Sequence, residues 1–352
     1  MTVPTVSTLS LARQTRNGIR LMQVEMSMRQ QELSTGRKID VAGAIGSRTA
    51  SLVDLRNARN EIVEYQTSIQ TQASRLTTMQ KAVEEVRAAV TKVRDLALGV
   101  SGSGSGPAAG AIDEAARDAL QVVQSMLNTS QSGRFLFAGT RFDQKPVQPQ
   151  DEVGPSGLSP AQAVAQTISG FPALTDAASV DAMIDGPGGL SAMFNDVDPT
   201  DPASFSNTFF HGSTTYVVGR AGNEMPVTYR VTAGDQAIRD LMQGLYMLAA
   251  VPDDSVPTGA YKRVAERGWQ QLTGALDQLV EMQGVLGLEE EAVDRAERQY
   301  EVQKTLVSTQ IVRLEEADPQ ETALRLNTLQ TQLEASFAVT SRISTLSLVN
   351  FL

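Results

Sequence analysis

Two long heptad stripes, one toward each end of the chain, constrain its fold more than any other feature. From Leu55 a 3-4 alternation runs through Ala58, Ile62, Tyr65, Ile69, Gln72, Leu76, Met79, Val83, Val86, Val90 and Val93 to Ala97, and only Gln72 in it is polar. The second runs Leu272, Ala275, Leu279, Met282, Leu286, Glu289, Val293, Ala296, Tyr300, Gln303, Val307, Gln310 and Leu314, and is weaker because Glu289, Gln303 and Gln310 interrupt it. Each stripe fits a helix of about 43 residues, roughly 64 Å long at 1.5 Å per residue. An apolar repeat of 3.5 sustained that far predicts helices in coiled-coil contact. Burying the two stripes against each other brings the ends of the chain together. The Gly-, Pro- and Asp-rich block between them cannot continue either helix. The fold class expected is therefore mainly α with an α+β insert. Both chain ends form a long antiparallel helical coiled-coil rod, and the middle domain is β-rich. Such a shape suits assembly rather than catalysis.

Local signals divide the chain further. A first helix carries Ile19, Met22, Met26 and Leu33 on one face and ends near Gly36; residues 37–50 have no clean period and read as a link. The long helix that follows stops near Gly99, where GVSGSGSGPAAG (99–110) forms a flexible linker. Its glycine spacing is no phosphate loop, since no strand precedes it and no Lys follows. Ile112, Ala115, Ala119, Val122 and Met126 mark an antiparallel return helix with Asp113 and Glu114 in its first turn and Gly133 as a stop beyond it. SGRFLFAGT (132–140) reads as a short aromatic strand, with Phe135 and Phe137 pinning it to the helices. Eight prolines across residues 141–212 exclude long helices there. TTYVVGR (214–220) and MPVTYRVTA (225–233) read as a hairpin, with Val227, Tyr229 and Val231 on its buried face. Asp235 is placed to cap a helix with Ile238, Leu241, Leu245 and Leu248 inward. After a second linker (251–260) and the distal heptad helix, Asp318-Pro319 opens a last helix carrying Leu326, Leu329, Leu333, Phe337, Ile343 and Leu346. The expected division is 1–50, a terminal core helix with its link; 51–140, the N-terminal half of the rod; 141–262, an outer β-containing domain; 263–317, the C-terminal half of the rod; and 318–352, a core helix.

Composition removes several kinds of chemistry. The chain has no Cys, which excludes disulfides, thiolate metal sites and cysteine nucleophiles. No apolar run reaches the 18 or more residues of a membrane span, and the first residues lack the apolar core of a secretory signal. Their Ser-, Thr- and Arg-rich character resembles a transit peptide, but they continue the helical pattern of the rest. Residues 1–60 carry nine basic and four acidic side chains, whereas 141–262 carry six and fourteen. The basic segment has no aromatic residue before Tyr65 and no nucleic-acid motif. The single His, His211, lies in FFHGS without a visible partner constellation, so it reads as structural or exposed. Asp196, Asp198 and Asp201 in NDVDPTDP lack the Gly and distant Glu of a calcium loop and read as a solvated turn. No catalytic, cofactor or metal site is expected. Gln72, Gln303 and Gln310 either fix the register of the helices or sit open to water. Ser336, Thr340, Ser341 and Ser347 suit close approach between helices in a tube. The residues expected at an assembly interface are Ile19, Met22, Met26, Leu33, Leu326, Leu329, Leu333, Phe337, Ile343 and Leu346.

Three segments carry a resemblance. LQTQLEASFAVTSRISTLSLVNFL (329–352), SGRFLFAGT (132–140) and LSTGRKI (33–39) are similar to bacterial flagellar axial proteins. The mid-chain motif and DQAIRDLMQGLYMLA (235–249) resemble the FlgL family of hook-filament junction proteins, hook-associated protein 3, within the flagellin-like superfamily. VAGAIGSRTASL (41–52) stands where flagellins usually show an Asp-Asp-Ala-Ala-Gly-like stretch, a departure that counts against a filament flagellin. The resemblance implies an extracellular structural protein of the bacterial flagellum, secreted by type III export without a cleavable signal, and a role in motility. Its implied partners are neighbouring copies of itself, the adjacent hook-side junction protein, flagellin and an export chaperone, with no nucleic acid and no membrane. The alternatives are a flagellin that forms the filament itself and a secreted helical adhesin or effector. In such a family the terminal helices order on assembly. Residues 1–35 and 320–352 each bury only one stripe, which gives a physical reason.

Overall fold

The structure is a computed structural model that describes residues 8–103, 109–196, 204–220 and 226–349. Helix accounts for 75% of it, and among the described residues strand is confined to two short antiparallel hairpins. The chain divides into two compact units: residues 1–63 with 301–352, and residues 64–300.

The larger unit is built on α3 (Thr49–Ser103) and α10 (Thr258–Glu315), of which it contains residues 64–103 and 258–300. Their antiparallel pairing shows in the Tyr65 and Tyr300 rings, 5.4 Å apart, and in the Gln80 side chain, which donates to the Gln283 carbonyl at 2.9 Å. From Ile69 to Ala97 every member of the first stripe is buried, Gln72 included. Gln72 is neither open to water nor idle: its amide oxygen accepts the hydroxyl proton of Tyr229. In the second stripe Leu272 through Leu286 are buried, while Glu289 is half-buried and pairs with Arg230 at 3.5 Å. Helix α4 (Ile112–Leu127) packs on α9 (Gln236–Ala250), eleven of whose fifteen residues are buried, as an apolar helix at the centre of a core requires. Asp235 holds the N-cap position of α9, but its carboxylate turns back to accept from the Thr232 amide and hydroxyl, both at 2.9 Å.

Between α4 and α9 the expected β-rich domain takes another form. Prolines and glycines shorten its helices without abolishing them. Helices α5 (Pro160–Ser169), α6 (Ala177–Asp185), α7 (Leu190–Asn195) and α8 (Phe205–Thr208) run four to ten residues each. Pro160 follows the N-cap residue Ser159, where a missing amide costs nothing, and Ser159 and Gln162 close a capping box. Phe194, Phe205, Phe209 and Tyr246 cluster with centroids 4.6–6.1 Å apart and tie these helices to α9. Strand here is the hairpin of β3 (Val217–Arg220) and β4 (Pro226–Tyr229), in register Val217 to Tyr229, with Val227 and Tyr229 inward as the alternation predicted.

The motif SGRFLFAGT lies at a crossroads in this unit. Strands β1 (Ser130–Gln131) and β2 (Arg134–Phe135) turn through Ser132 and Gly133, both at positive φ (53° and 76°), as a tight hairpin of this type demands. Phe137 is fully buried and its carbonyl accepts the Ala233 amide at 2.9 Å, while the Ala138 carbonyl accepts the Ser213 amide at 2.9 Å. Gly139 has φ +58°, and a Cβ there would lie 2.0 Å from the Ser213 carbonyl oxygen. Phe135, the other expected anchor, is only half-buried.

Candidate assembly surface

The smaller unit contains α1 (Thr8–Thr35), α2 (Val41–Ile45), residues 49–63 of α3, residues 301–315 of α10 and α11 (Pro319–Val349). Its construction follows from the ends of its helices. Gly36, at φ +68°, stops α1, and its amide bonds back to the Glu32 carbonyl at 2.8 Å. The chain then pairs with the turn leaving α10. The Lys38 amide donates to the Glu315 carbonyl at 2.8 Å and the Ala317 amide to the Gly36 carbonyl at 3.0 Å. The Lys38 ammonium lies 3.3 Å from the Leu314 carbonyl, a cation at the negative end of a helix. Two buried carboxylates secure this crossing. Glu32 accepts from the Ile39 amide at 3.0 Å and pairs with Arg29 at 2.6 Å; Glu315 accepts from Arg56 Nε at 3.1 Å. Asp318 then caps α11 by accepting the Gln320 amide at 2.8 Å, with Pro319 first in the helix. Helices α1 and α11 therefore leave this crossing side by side and antiparallel, and Arg325 reaches Glu25 at 3.4 Å.

Residues 37–50, expected as an irregular link, are more ordered than that. Asp40 caps α2 through the Gly43 amide at 2.9 Å, and a 3-10 turn over Gly46–Arg48 leads directly into α3. Ile45, Leu52 and Ile311 form a small core here, with Val41, Leu55, Val307 and Leu314 against it. The second heptad stripe slips at this point. Gln310 is exposed and its neighbour Ile311 is buried in its place, so Gln310 sits in water while Gln303 is half-buried.

The ten residues expected at an interface fall into distinct environments. Leu329 and Leu333 are buried between the helices; Ile19, Met22, Met26 and Leu326 are half-buried. Leu33 is 44% exposed, since Glu32 takes the inward position in the last turn of α1, and Phe337 is 52% exposed. Ile343 and Leu346 lie on α11, but their side chains, like that of Ser347, fall outside the described residues. Thr340 donates to the carbonyl of Ser336 at 2.7 Å along its own helix. Among the described residues of the unit, twelve large apolar side chains are exposed and seven apolar ones are buried. Leu21 on α1 and Leu324 on α11 are 66% and 70% exposed. Covering side chains as exposed as these is worth about 1–2 kcal/mol each, and an apolar surface of this density is the mark of a contact site.

His211 Nε2 lies 3.0 Å from the Gln148 side-chain oxygen; burial, with Arg141 nearby, lowers its pKa. Asp198 and Asp201 lie outside the described residues, and among the described residues no group of three His, Asp or Glu is placed to hold a metal. No described helix is long and apolar enough to cross a membrane. The contacts that sequence reasoning missed, Glu32 with Ile39 and Glu315 with Arg56, join residues 7 and 259 apart through single carboxylates, for which no periodic signal exists.

Comparison with known proteins matches the two helical ends of the chain, across both units. Residues 6–141 match the bacterial flagellin N-terminal helical region, and residues 269–352 match the bacterial flagellin C-terminal helical region. Among curated proteins none matches significantly. Among the solved structures distantly similar to this chain are two flagellar proteins. One is a Vibrio parahaemolyticus protein provisionally assigned as flagellar hook-associated, at 13% identity, 76% of this chain, 96% of that one and TM-score 0.46. The other is FlgL of Bacillus cereus, at 14% identity, 75% of this chain, 98% of that one and TM-score 0.44.

Proposed function

The chain belongs to the flagellin family, a structural protein of the flagellum, and from that premise we propose that it is the junction component joining the hook to the filament. The observation that carries an assembly role is the smaller unit, in which α1 and α11 bury one seam and leave Leu21, Leu33, Leu324 and Phe337 open. Neighbouring subunits cover these faces in an assembled tube, with α1 and α11 innermost. Hydrophobic burial between subunits supplies most of the association energy. The ten interface residues divide the work: Leu329 and Leu333 hold α11 to α1 within a chain, while Leu33 and Phe337 contact neighbours. Subunits reach the site through the flagellar type III export route and meet the hook-side junction protein below and flagellin above.

The junction reading rests on SGRFLFAGT, whose Phe137, Ala138 and Gly139 tie together three segments of the larger unit. A filament-forming flagellin is the second reading, favoured by the matched regions being those of flagellin itself. Seeded polymerisation separates them. Purified protein is added to hook fragments and viewed by electron microscopy. A short terminal layer that then accepts flagellin is the expected result. Long filaments of this protein alone would make it a flagellin, and no association with hooks would remove it from the junction.

A further inference from the structure

Among its described residues the larger unit leaves a small open hollow of about 40 Å³. Met79, Leu136, Val217 and Val231 form an apolar wall, and Arg75 and Arg134 stand beside it. Among the described residues neither guanidinium is paired with a carboxylate. Arg134 is exposed and lies 4.3 Å from the centroid of the Phe142 ring. Arg75 rests against the Tyr229 hydroxyl, yet its Nε is buried without a hydrogen bond. Guanidiniums without a carboxylate partner at the rim of an apolar hollow suit an anion attached to an apolar group.

One turn of this chain has that chemistry. Val153 is 61% exposed and follows Asp151 and Glu152, which are exposed and outside every ion pair among the described residues. The turn is held rigidly: the Gln148 amide donates to the Glu152 carbonyl, the Gly154 amide to the Leu158 carbonyl and the Gly157 amide to the Gly154 carbonyl, each at 3.0 Å. Its order is therefore already in place before any contact forms. Leu288, also exposed and also beside acids, is a poorer candidate because Glu289 is paired with Arg230 and Glu290 accepts from Thr77.

We propose that the hollow receives this turn from a second copy of the chain, with Val153 against the apolar wall and Asp151 and Glu152 against Arg75 and Arg134. The turn is anchored to α4, where the Gln150 amide donates to Gln124 at 3.2 Å, and none of its residues lines the hollow. Knob and hole are thus different patches of one surface. Such a contact is heterologous, the kind that propagates subunits around a ring or along a helix. Its place in the flagellum rests on the assembly role proposed above; its test does not.

Because the chain has no cysteine, introduced thiols report the contact without background. Full-length Val153→Cys is mixed with full-length Phe142→Cys under mild oxidation, and disulfide-linked dimers are followed by gel against a Val153→Cys and Val280→Cys control. The expected result is dimers forming at least ~10-fold faster than in the control, a gain lost when Arg134→Glu is added and recovered when the partner also carries Glu152→Arg. Cross-linking no faster than the control overturns the proposal, as does Arg134→Glu without effect in a variant of unchanged circular dichroism. Cross-linking by a protein that fails to bind hooks would retain the contact and discard the junction role.

Discussion

Tyr229 and Gln72 offer the sharpest test of how the hairpin is fastened to the long helices. Both side chains are buried, and the Tyr229 hydroxyl donates to the Gln72 amide oxygen, with Arg75 against the same hydroxyl. Burial raises the Tyr229 pKa, so the group stays a neutral donor. Tyr229→Phe keeps the ring and leaves the Gln72 oxygen dry and unpaired, which costs about 1–3 kcal/mol. Gln72→Leu strands the hydroxyl in the same way and costs a similar amount. The double variant removes both polar groups and leaves only Arg75 without its hydroxyl neighbour, so it is expected to lose less than the sum of the single changes, with a coupling of about 1–3 kcal/mol in a double-mutant cycle. Space is a second constraint at this contact. A Cβ on Gly219 would lie 3.0 Å from the Gln72 amide, so the hairpin backbone already rests on that side chain. Trp269, the only tryptophan of the chain, packs against the core of the larger unit and reports its unfolding by fluorescence in urea. Tyr229→Phe within about 0.5 kcal/mol of wild type, or strictly additive single changes, would refute the reasoning.

Three further outcomes are expected. Gly139→Ala forces a left-handed φ on a residue whose Cβ meets the Ser213 carbonyl, and is expected to lower stability by about 3 kcal/mol or more, read from the same urea midpoint. Burial raises the pKa of Asp235 above its ordinary 3.8, so the folded state binds its proton more tightly than the unfolded state; this contribution is complete below 3.8 and is lost as pH rises through the folded value. Asp235→Asn is therefore expected to flatten the fall in midpoint over that window, and an unchanged pH profile would contradict the assignment. Removing residues 343–352 is expected to abolish addition to hooks while the Trp269 emission stays that of the folded chain; normal addition by the truncated protein would argue against α11 as an assembly element.

The sequence was informative wherever structure is periodic. The first stripe from Ile69, the β3–β4 hairpin and the helix after Asp235 follow from repeats of 3.5, 2 or 3.6; the return helix forms as expected, but its buried face is Ile112, Ala116, Ala119, Leu120, Val123 and Leu127, with Ala115, Val122 and Met126 half-buried. It was less informative where single contacts decide. The slip from Gln310 to Ile311 reverses one heptad position and leaves no trace in a pattern read as continuous. The short helices of 160–208 are not legible because the prolines there exclude only long helices, and Pro160 itself begins a short one. At the candidate surface, Leu329 and Leu333 face inward as the apolar stripe requires. Leu33 does not, because the carboxylate of Glu32 is needed at the Ile39 amide and takes the inner position. A polar group displacing an apolar one for a hydrogen bond runs against hydrophobic periodicity and has no counterpart in it.

The central claim is that α1 and α11 form a surface completed by neighbouring subunits. Hydrogen exchange, measured on verified monomer and on protein seated on hook fragments, tests it most directly. The account predicts fast exchange in both helices of the monomer, beside strong protection over residues 76–97, and protection of both helices once the subunit is seated. Helices as protected in the monomer as residues 76–97, or unchanged on seating, would contradict it.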